Sequence, residues 1–269
     1  MLAGQLFRIA SREASLKLQL MGYDVEKPDL LGAFPAVRFE ATEVYAAFPR
    51  VDQAQCRFCG ACVSFCTCGA LRLERQVPSI TIDPERCEAC GDCIQGCNLH
   101  GISTRERLTG YILKGRLNGN LITIGKGDEH HDYLVPLICA LNDHLVEEAV
   151  SICDLGPGNS GFVLSALKYT TLALIVQRPA RGWERNIRFL LDALRGKHIA
   201  GSVVINKYRD ESGFLNEVET FCESEQLPLL GVIPFYGELE ISNNRITDMP
   251  GKEIDPIFAA IWEKIALQF

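Results

Sequence analysis

Apolar residues recur at helical intervals along the second half of the chain, with short continuous apolar runs between them. Leu134, Leu137, Ile138 and Leu141 stand three or four apart, as one face of a helix requires. Trp183, Ile187, Leu190, Leu191 and Leu194 repeat that spacing and stop at Gly196; Phe214, Val218, Phe221 and Cys222 repeat it again. A last helix is predicted from Asp255-Pro256, a cap followed by proline at the first helical position, with an apolar face of Ile257, Ile261, Ile265 and Phe269. Between these lie strand-like runs at 149–153, 171–177, 199–206 and 229–233, the first ending in Asp154 and the last in Pro234. Gly156, Pro157 and Gly158 form a turn, and Ser160 opens a predicted helix through Leu167. Strands alternating with helices predict a parallel sheet covered on both faces. Ligands on such sheets sit beyond the carboxyl ends of the strands, where Asp154, Asn206-Lys207 and Pro234 fall.

The first residues carry the same two signals. Leu2, Leu6, Ile9 and Ala10 fit a helix, and Leu16, Leu18 and Leu20 alternate as a strand. A hairpin pairing 6–10 with 16–20 is the alternative, and the helix is the preferred reading.

Composition narrows the class. The chain has 269 residues, 47% of them hydrophobic, enough for one sizeable core and a small module. A net charge of -7 argues against nucleic acid as an obligatory partner, because phosphate binding needs a basic face. No apolar run approaches the ~20 residues of a membrane span, and no secretory signal opens the chain. A reducing compartment, the cytoplasm, is expected from the cysteine usage below.

Cys56, Cys59, Cys62 and Cys66 read C-x2-C-x2-C-x3-C, and the spacing returns 31 residues later at Cys87, Cys90, Cys93 and Cys97. A cubane cluster needs four thiolates around a small inorganic core. Two-residue spacers wrap three of them round one face, and the fourth of each run serves the neighbouring cluster. The expected ligand sets of two [4Fe–4S] clusters are thus Cys56, Cys59, Cys62 and Cys97, and Cys87, Cys90, Cys93 and Cys66. Zinc favours paired C-x2-C units or mixed Cys and His ligands, and disulfides do not call for this dense repeat. Cys68 reads as a small packing residue beside the cluster, and Cys139, Cys153 and Cys222 as core residues. The adjacent His130-His131 reads as a solvated loop.

The stretch 49–105 resembles a bacterial two-cluster ferredoxin, including Gly60 and Gly91 after the second cysteine of each run. It departs from that family in having Thr67 and Asn98 where proline usually follows the fourth cysteine.

A second resemblance covers nearly the whole chain. Asp24-Val25-Glu26-Lys27-Pro28-Asp29, Asp154-Leu155-Gly156-Pro157-Gly158, Val204-Ile205-Asn206-Lys207 and Gly231-Val232-Ile233-Pro234-Phe235 look like the MinD/Mrp superfamily of P-loop ATPases, in the branch that carries an inserted two-cluster ferredoxin. The implied fold is an α/β, parallel-sheet, P-loop NTPase-like (MinD-like) core. Residues 1–48 and 106–269 would form that core, and 49–105 the inserted α+β ferredoxin-like domain. The resemblance implies Asp154 at the Mg²⁺ end of its strand and Asp24 near the attacking water. It implies Gly158 beside the γ-phosphate and Asn206, followed by Lys207, at adenine. Pro234 and Phe235 would flank the base. Taken singly, Asp154 would only cap a turn and Asn206 only end a strand.

Such a hydrolase needs G-x4-G-K-[ST], whose glycines let backbone N–H groups cradle phosphates while the lysine neutralises them. The chain has no such run. Gly125-Lys126-Gly127 lacks the hydroxyl, and 156–161 lacks a lysine. Met1 falls where the helix after the P-loop would begin, so loss of the first strand and P-loop, in the gene model or in fact, is the simplest account. Three functions are then open. The chain is an ATP-driven iron–sulfur protein, with ATP or ADP and Mg²⁺, that dimerises and delivers electrons or clusters to a metalloenzyme. Or it is the nucleotide-incompetent partner of an intact paralogous ATPase. Or it is a nucleotide-independent electron carrier.

Overall fold

Helix α1 (Leu2–Ala10) buries Leu6, Phe7, Ile9 and Ala10 and leads into strand β1 (Leu18–Gly22), so the helical reading of the first residues holds. The computed structural model describes residues 2–13, 16–128, 134–156, 167–209, 213–236 and 251–268. All five residues of β1 are buried, not alternate ones, and the strand begins at Leu18 instead of Leu16. The reason is its central place. Leu18 and Leu20 face one apolar cluster, Met21 the opposite one, and parallel strands flank both edges. The polar Gln19 that mimics alternation is fully buried and satisfied: its amide donates to the His144 carbonyl (2.7 Å) and its oxygen accepts from the Val146 N–H (3.0 Å).

The next elements build a mixed sheet. After a short turn of helix α2 (Leu30–Ala33) comes β2 (Glu40–Val51). Helix α3 (Ala61–Phe65), the two-stranded pair β3 (Leu71–Glu74) and β4 (Ser79–Ile82), and helix α4 (Asp92–Gln95) then carry the cysteine runs. Strand β5 (Ile102–Leu117) returns antiparallel to β2, and β6 (Asn120–Gly127) returns antiparallel to β5. The β5–β6 turn is Asn118-Gly119, both with positive φ (51° and 82°), the pair that a two-residue hairpin favours. Positions 49 and 105 therefore fall inside β2 and β5, not at linkers.

Helix α5 (Val135–Asn142) and β7 (Val150–Asp154) complete a five-stranded sheet in the order β2-β5-β6-β1-β7. A 3₁₀ turn (Leu167–Tyr169) precedes β8 (Leu172–Gln177), α6 (Trp183–Arg195), β9 (Ala200–Tyr208), α7 (Phe214–Glu225) and β10 (Leu229–Pro234). Their strands form a parallel sheet in the order β10-β9-β8. Strands β7 and β8, consecutive in the described chain, are each an edge of their own sheet. Val150, Ile152, Leu172 and Leu174 on them are only partly buried against the common core. Parallel sheets usually cover such apolar strands on both sides.

The last helix corrects the sequence reading. Helix α8 runs from Gly251 to Ala266, so Pro256 lies inside it and Asp255 is not its cap. Asp255 instead accepts hydrogen bonds from Gln5 (2.9 Å), Arg8 and Arg12 (2.7 Å), tying α8 to α1. The buried face is Ile254, Phe258, Ile261, Trp262 and Ile265, with Ile257 at its margin. Phe269, Pro157, Gly158, Ser160 and His130-His131 lie outside the described residues. No helix among the described residues is long and apolar enough to cross a membrane.

Candidate functional site

The two cysteine runs fold as one motif used twice. Each opens on an aspartate whose carboxylate accepts the N–H two residues on: Asp52 from Ala54 (2.9 Å) and Asp83 from Glu85 (3.0 Å). The carbonyls of the same aspartates accept from Cys56 (2.9 Å) and Cys87 (3.1 Å). Left-handed backbone falls at matching places, Phe58 and Ala89, Gly60 and Gly91, and Gly69 and His100. The motifs are cross-linked. Asp52 donates its N–H to the Gly101 carbonyl (2.9 Å), after the second run, while Asp83 donates to Ala70 (2.8 Å), after the first. This exchange brings the end of one run beside the start of the other.

The sulfurs group accordingly. Burial, then the neighbouring sulfurs of Cys56 and Cys97, with Cys59 adding, push the Cys62 thiol up. Burial, then Cys87, Cys66 and Cys90, with Cys62 of the first run adding, push Cys93 up to about 11. Cys87 is raised by burial and by Cys68, Cys66 and Cys90. Thiols that crowd and raise one another in this way are sites where a bound cationic core would favour the thiolate. Backbone N–H groups already point at sulfur, from Phe58 to Cys56 (3.4 Å) and from Ala70 to Cys66 (3.2 Å). All twelve cysteines are free thiols. Among the described residues no group of three or more His, Cys, Asp or Glu is placed to hold a metal ion.

The second region lies at strand ends. Asp24 and Asp154 stand at the carboxyl ends of the adjacent parallel strands β1 and β7, where Gly22 pairs with Asp154 and the Tyr23 N–H donates to the Asp154 carbonyl (2.7 Å). Burial, opposed by the hydrogen bond from the Lys27 N–H, and then the Asp154 charge raise the Asp24 carboxyl. Asn206 and Lys207 end β9 beside Pro234 of β10, and the Phe235 N–H donates to the Tyr208 carbonyl (2.8 Å). The Asn206 side-chain oxygen accepts from the Lys207 N–H (2.9 Å), and Lys207 takes a positive φ of 56°. The Arg209 guanidinium lies 3.7 Å from the Phe235 ring centroid, a contact that no sequence motif announced. The predicted residues thus fall in two places, Asp24 and Asp154 at strand ends of one sheet and Asn206, Lys207, Pro234 and Phe235 at strand ends of the other.

Comparison with solved structures agrees with this architecture. A crystal structure described as a plasmid partition protein from Borrelia burgdorferi B31, bound to AMPPNP, aligns with a TM-score of 0.54 and 12% identity over 100% of this chain and 92% of that one. A second plasmid partition structure from the same species aligns at 0.46 and 11% identity, with the same coverage. Only the first is close enough to speak for the fold. The chain therefore has an α/β fold that resembles that of this plasmid partition protein. No family model and no curated protein sequence matches the chain.

Proposed function

We propose that this chain is an iron–sulfur protein built on a MinD-like ATPase frame. It would hold two [4Fe–4S] clusters and couple nucleotide state to electron transfer or to metalloenzyme maturation. The observation that supports this reading is the hydrogen-bonded turn motif shared by the two cysteine runs, crossed so that the end of each run lies beside the start of the other. Cys56, Cys59, Cys62 and Cys97 would hold one cluster; Cys87, Cys90, Cys93 and Cys66 the other. Such clusters would supply one-electron transfer. The chain's own contribution is to set the sulfurs, donate N–H groups to those of Cys56 and Cys66, and pack Cys62, Cys87 and Cys93 with Phe48, Leu71 and Ile80.

Nucleotide, with Mg²⁺, would be met by Asp24 and Asp154 at the metal and water end and by Asn206, Lys207, Pro234 and Phe235 at the base. The phosphate cradle would come from an added strand and loop or from an intact paralogue in a dimer. The half-buried strands β7 and β8, each an edge of its own sheet, favour an added strand there. The lack of a G-x4-G-K-[ST] run favours a second reading, a nucleotide-independent electron carrier.

Anaerobically purified protein is expected to be brown and to hold about eight iron and eight sulfide per chain. Stoichiometric zinc without iron after anaerobic reconstitution would overturn the cluster reading. Alone, the chain should not hydrolyse ATP at a useful rate. With a restored P-loop or the paralogue, it should bind adenine nucleotide in calorimetry, and Asn206→Ala should weaken that binding with iron content unchanged. Full clusters without nucleotide binding in the complemented protein would select the electron carrier.

A further inference from the structure

The two cysteine runs differ at one place that their shared motif makes visible. Cys68 has no counterpart, because the matching position of the second run is Leu99, which is 49% exposed. The structure brings Cys68 to the second sulfur group. Its Sγ lies 3.5 Å from that of Cys66, and it lines one cavity together with Cys66, Cys87, Cys90 and Cys93. A small packing residue, the sequence expectation, would need no such company. Five cysteines thus line one site, where a cubane takes four ligands.

We infer that Cys68 is a reserve ligand of the second cluster, able to take the iron held by Cys66. The inference rests on the cluster reading above. The exchange is redox-neutral. The Cys68 thiol gives up its proton as its sulfur binds the iron; the Cys66–iron bond breaks, and the Cys66 thiolate takes a proton. Cys66 is the resident partner because the Ala70 N–H already donates to its sulfur (3.2 Å). One residue, Thr67, separates the two cysteines, so either thiolate can be presented by a small rotation of the 66–69 turn, which the Gly69 N–H closes onto the Cys66 carbonyl (3.1 Å). The first sulfur group has no such spare, since its fourth cysteine, Cys97, is followed by Asn98 and Leu99.

The test is iron counting and low-temperature EPR on anaerobically reconstituted full-length variants. Wild type with about eight iron is the condition on which the cluster reading itself stands. Given that, Cys66→Ala should keep about eight iron with an altered signal from one cluster, whereas Cys97→Ala and the double Cys66→Ala/Cys68→Ala should each fall to about four. A fall to about four in Cys66→Ala alone would overturn the inference, as would retention of eight in the double variant. Cys68→Ala, which leaves every assigned ligand in place, gives a second reading. Its second cluster should lose iron to a chelator about tenfold faster than wild type, on the scale seen for lost supporting groups. A wild-type rate there would overturn the proposal even if Cys66→Ala failed to fold.

Discussion

Asp24 rests against the backbone of Gly156: a Cβ placed on that glycine would stand 2.8 Å from the Asp24 Cγ. Gly156 also has φ of +70°, the left-handed region. The turn after β7 therefore closes on the end of β1 only because residue 156 has no side chain. Gly156→Ala should cost about 1–3 kcal/mol, from backbone strain together with displacement of the carboxylate. Urea unfolding of the two proteins measures this; equal midpoints would show that the turn relaxes freely.

The Asp24 carboxyl is raised, chiefly by burial and then by Asp154, Asp29 and Glu26 against the opposing Lys27 N–H. A group that holds its proton more tightly when folded stabilises the fold below its unfolded pKa, near ~4, and loses that contribution as pH rises through the folded value. Asp24→Asn should thus raise the melting temperature at pH 7–8 by no more than about 3 °C, and the gain should vanish near pH ~3.5. A gain that grows on acidification would contradict the burial argument.

Gly110 is where the long β2–β5 pair parts from β6. It pairs with Val44 on one side and Gly127 on the other, beside the register shift at Val44/Tyr45. Its φ is 151°, and an added Cβ would meet the Lys126 carbonyl oxygen at 2.2 Å and Leu137 Cδ2 at 2.8 Å. Gly110→Ala should destabilise by more than about 3 kcal/mol, by the combined clash and strain. Circular dichroism melting would register it as a collapse in Tm, whereas Gly119→Ala, at an open turn, should cost much less.

Cys153 is pushed up to about 12 by burial and by Asp154. Its thiol should resist iodoacetamide at pH 8 in the folded chain and react only on unfolding. Mass-spectrometric mapping of alkylated peptides decides this. In cluster-free protein the exposed Cys59 and Cys90 should be modified first.

Strand and helix periods made the segments 134–141 and 171–234 legible, because each element buries one regular face. Trp183, for instance, heads the apolar face of its helix and packs edge-on to Phe214 (5.8 Å) and Phe221 (5.2 Å) of the next one. The β2–β5 pair was illegible, since Ser103, Thr104, Arg105, Glu106 and Arg107 are exposed and no apolar alternation marks them. The Asn118-Gly119 dipeptide was the signal that could have revealed β5 and β6. Pro256 misled, because proline at a helix start and proline inside a helix look alike in sequence. At the site, the repeated cysteine spacing marked the two runs that fold as one motif used twice. The Asp24–Gly156 contact and the Arg209–Phe235 stack depend on which strands lie side by side, which no local pattern encodes.

The continuity of β2 and β5 from the core sheet to the cysteine motif has a consequence for how such proteins can vary. Val51 and Ile102 are the last paired residues, and Asp52 follows directly with its N–H on Gly101. Paired backbone thus runs from the sheet almost to the first cysteine, Cys56. The facing of the sulfurs is then counted in residues, and strand geometry has a period of two. Lengthening both strands by one residue would turn the whole cysteine motif to the opposite side of the molecule. Lengthening both by two would keep its facing and carry it about 7 Å farther out. Related chains should differ here by even numbers.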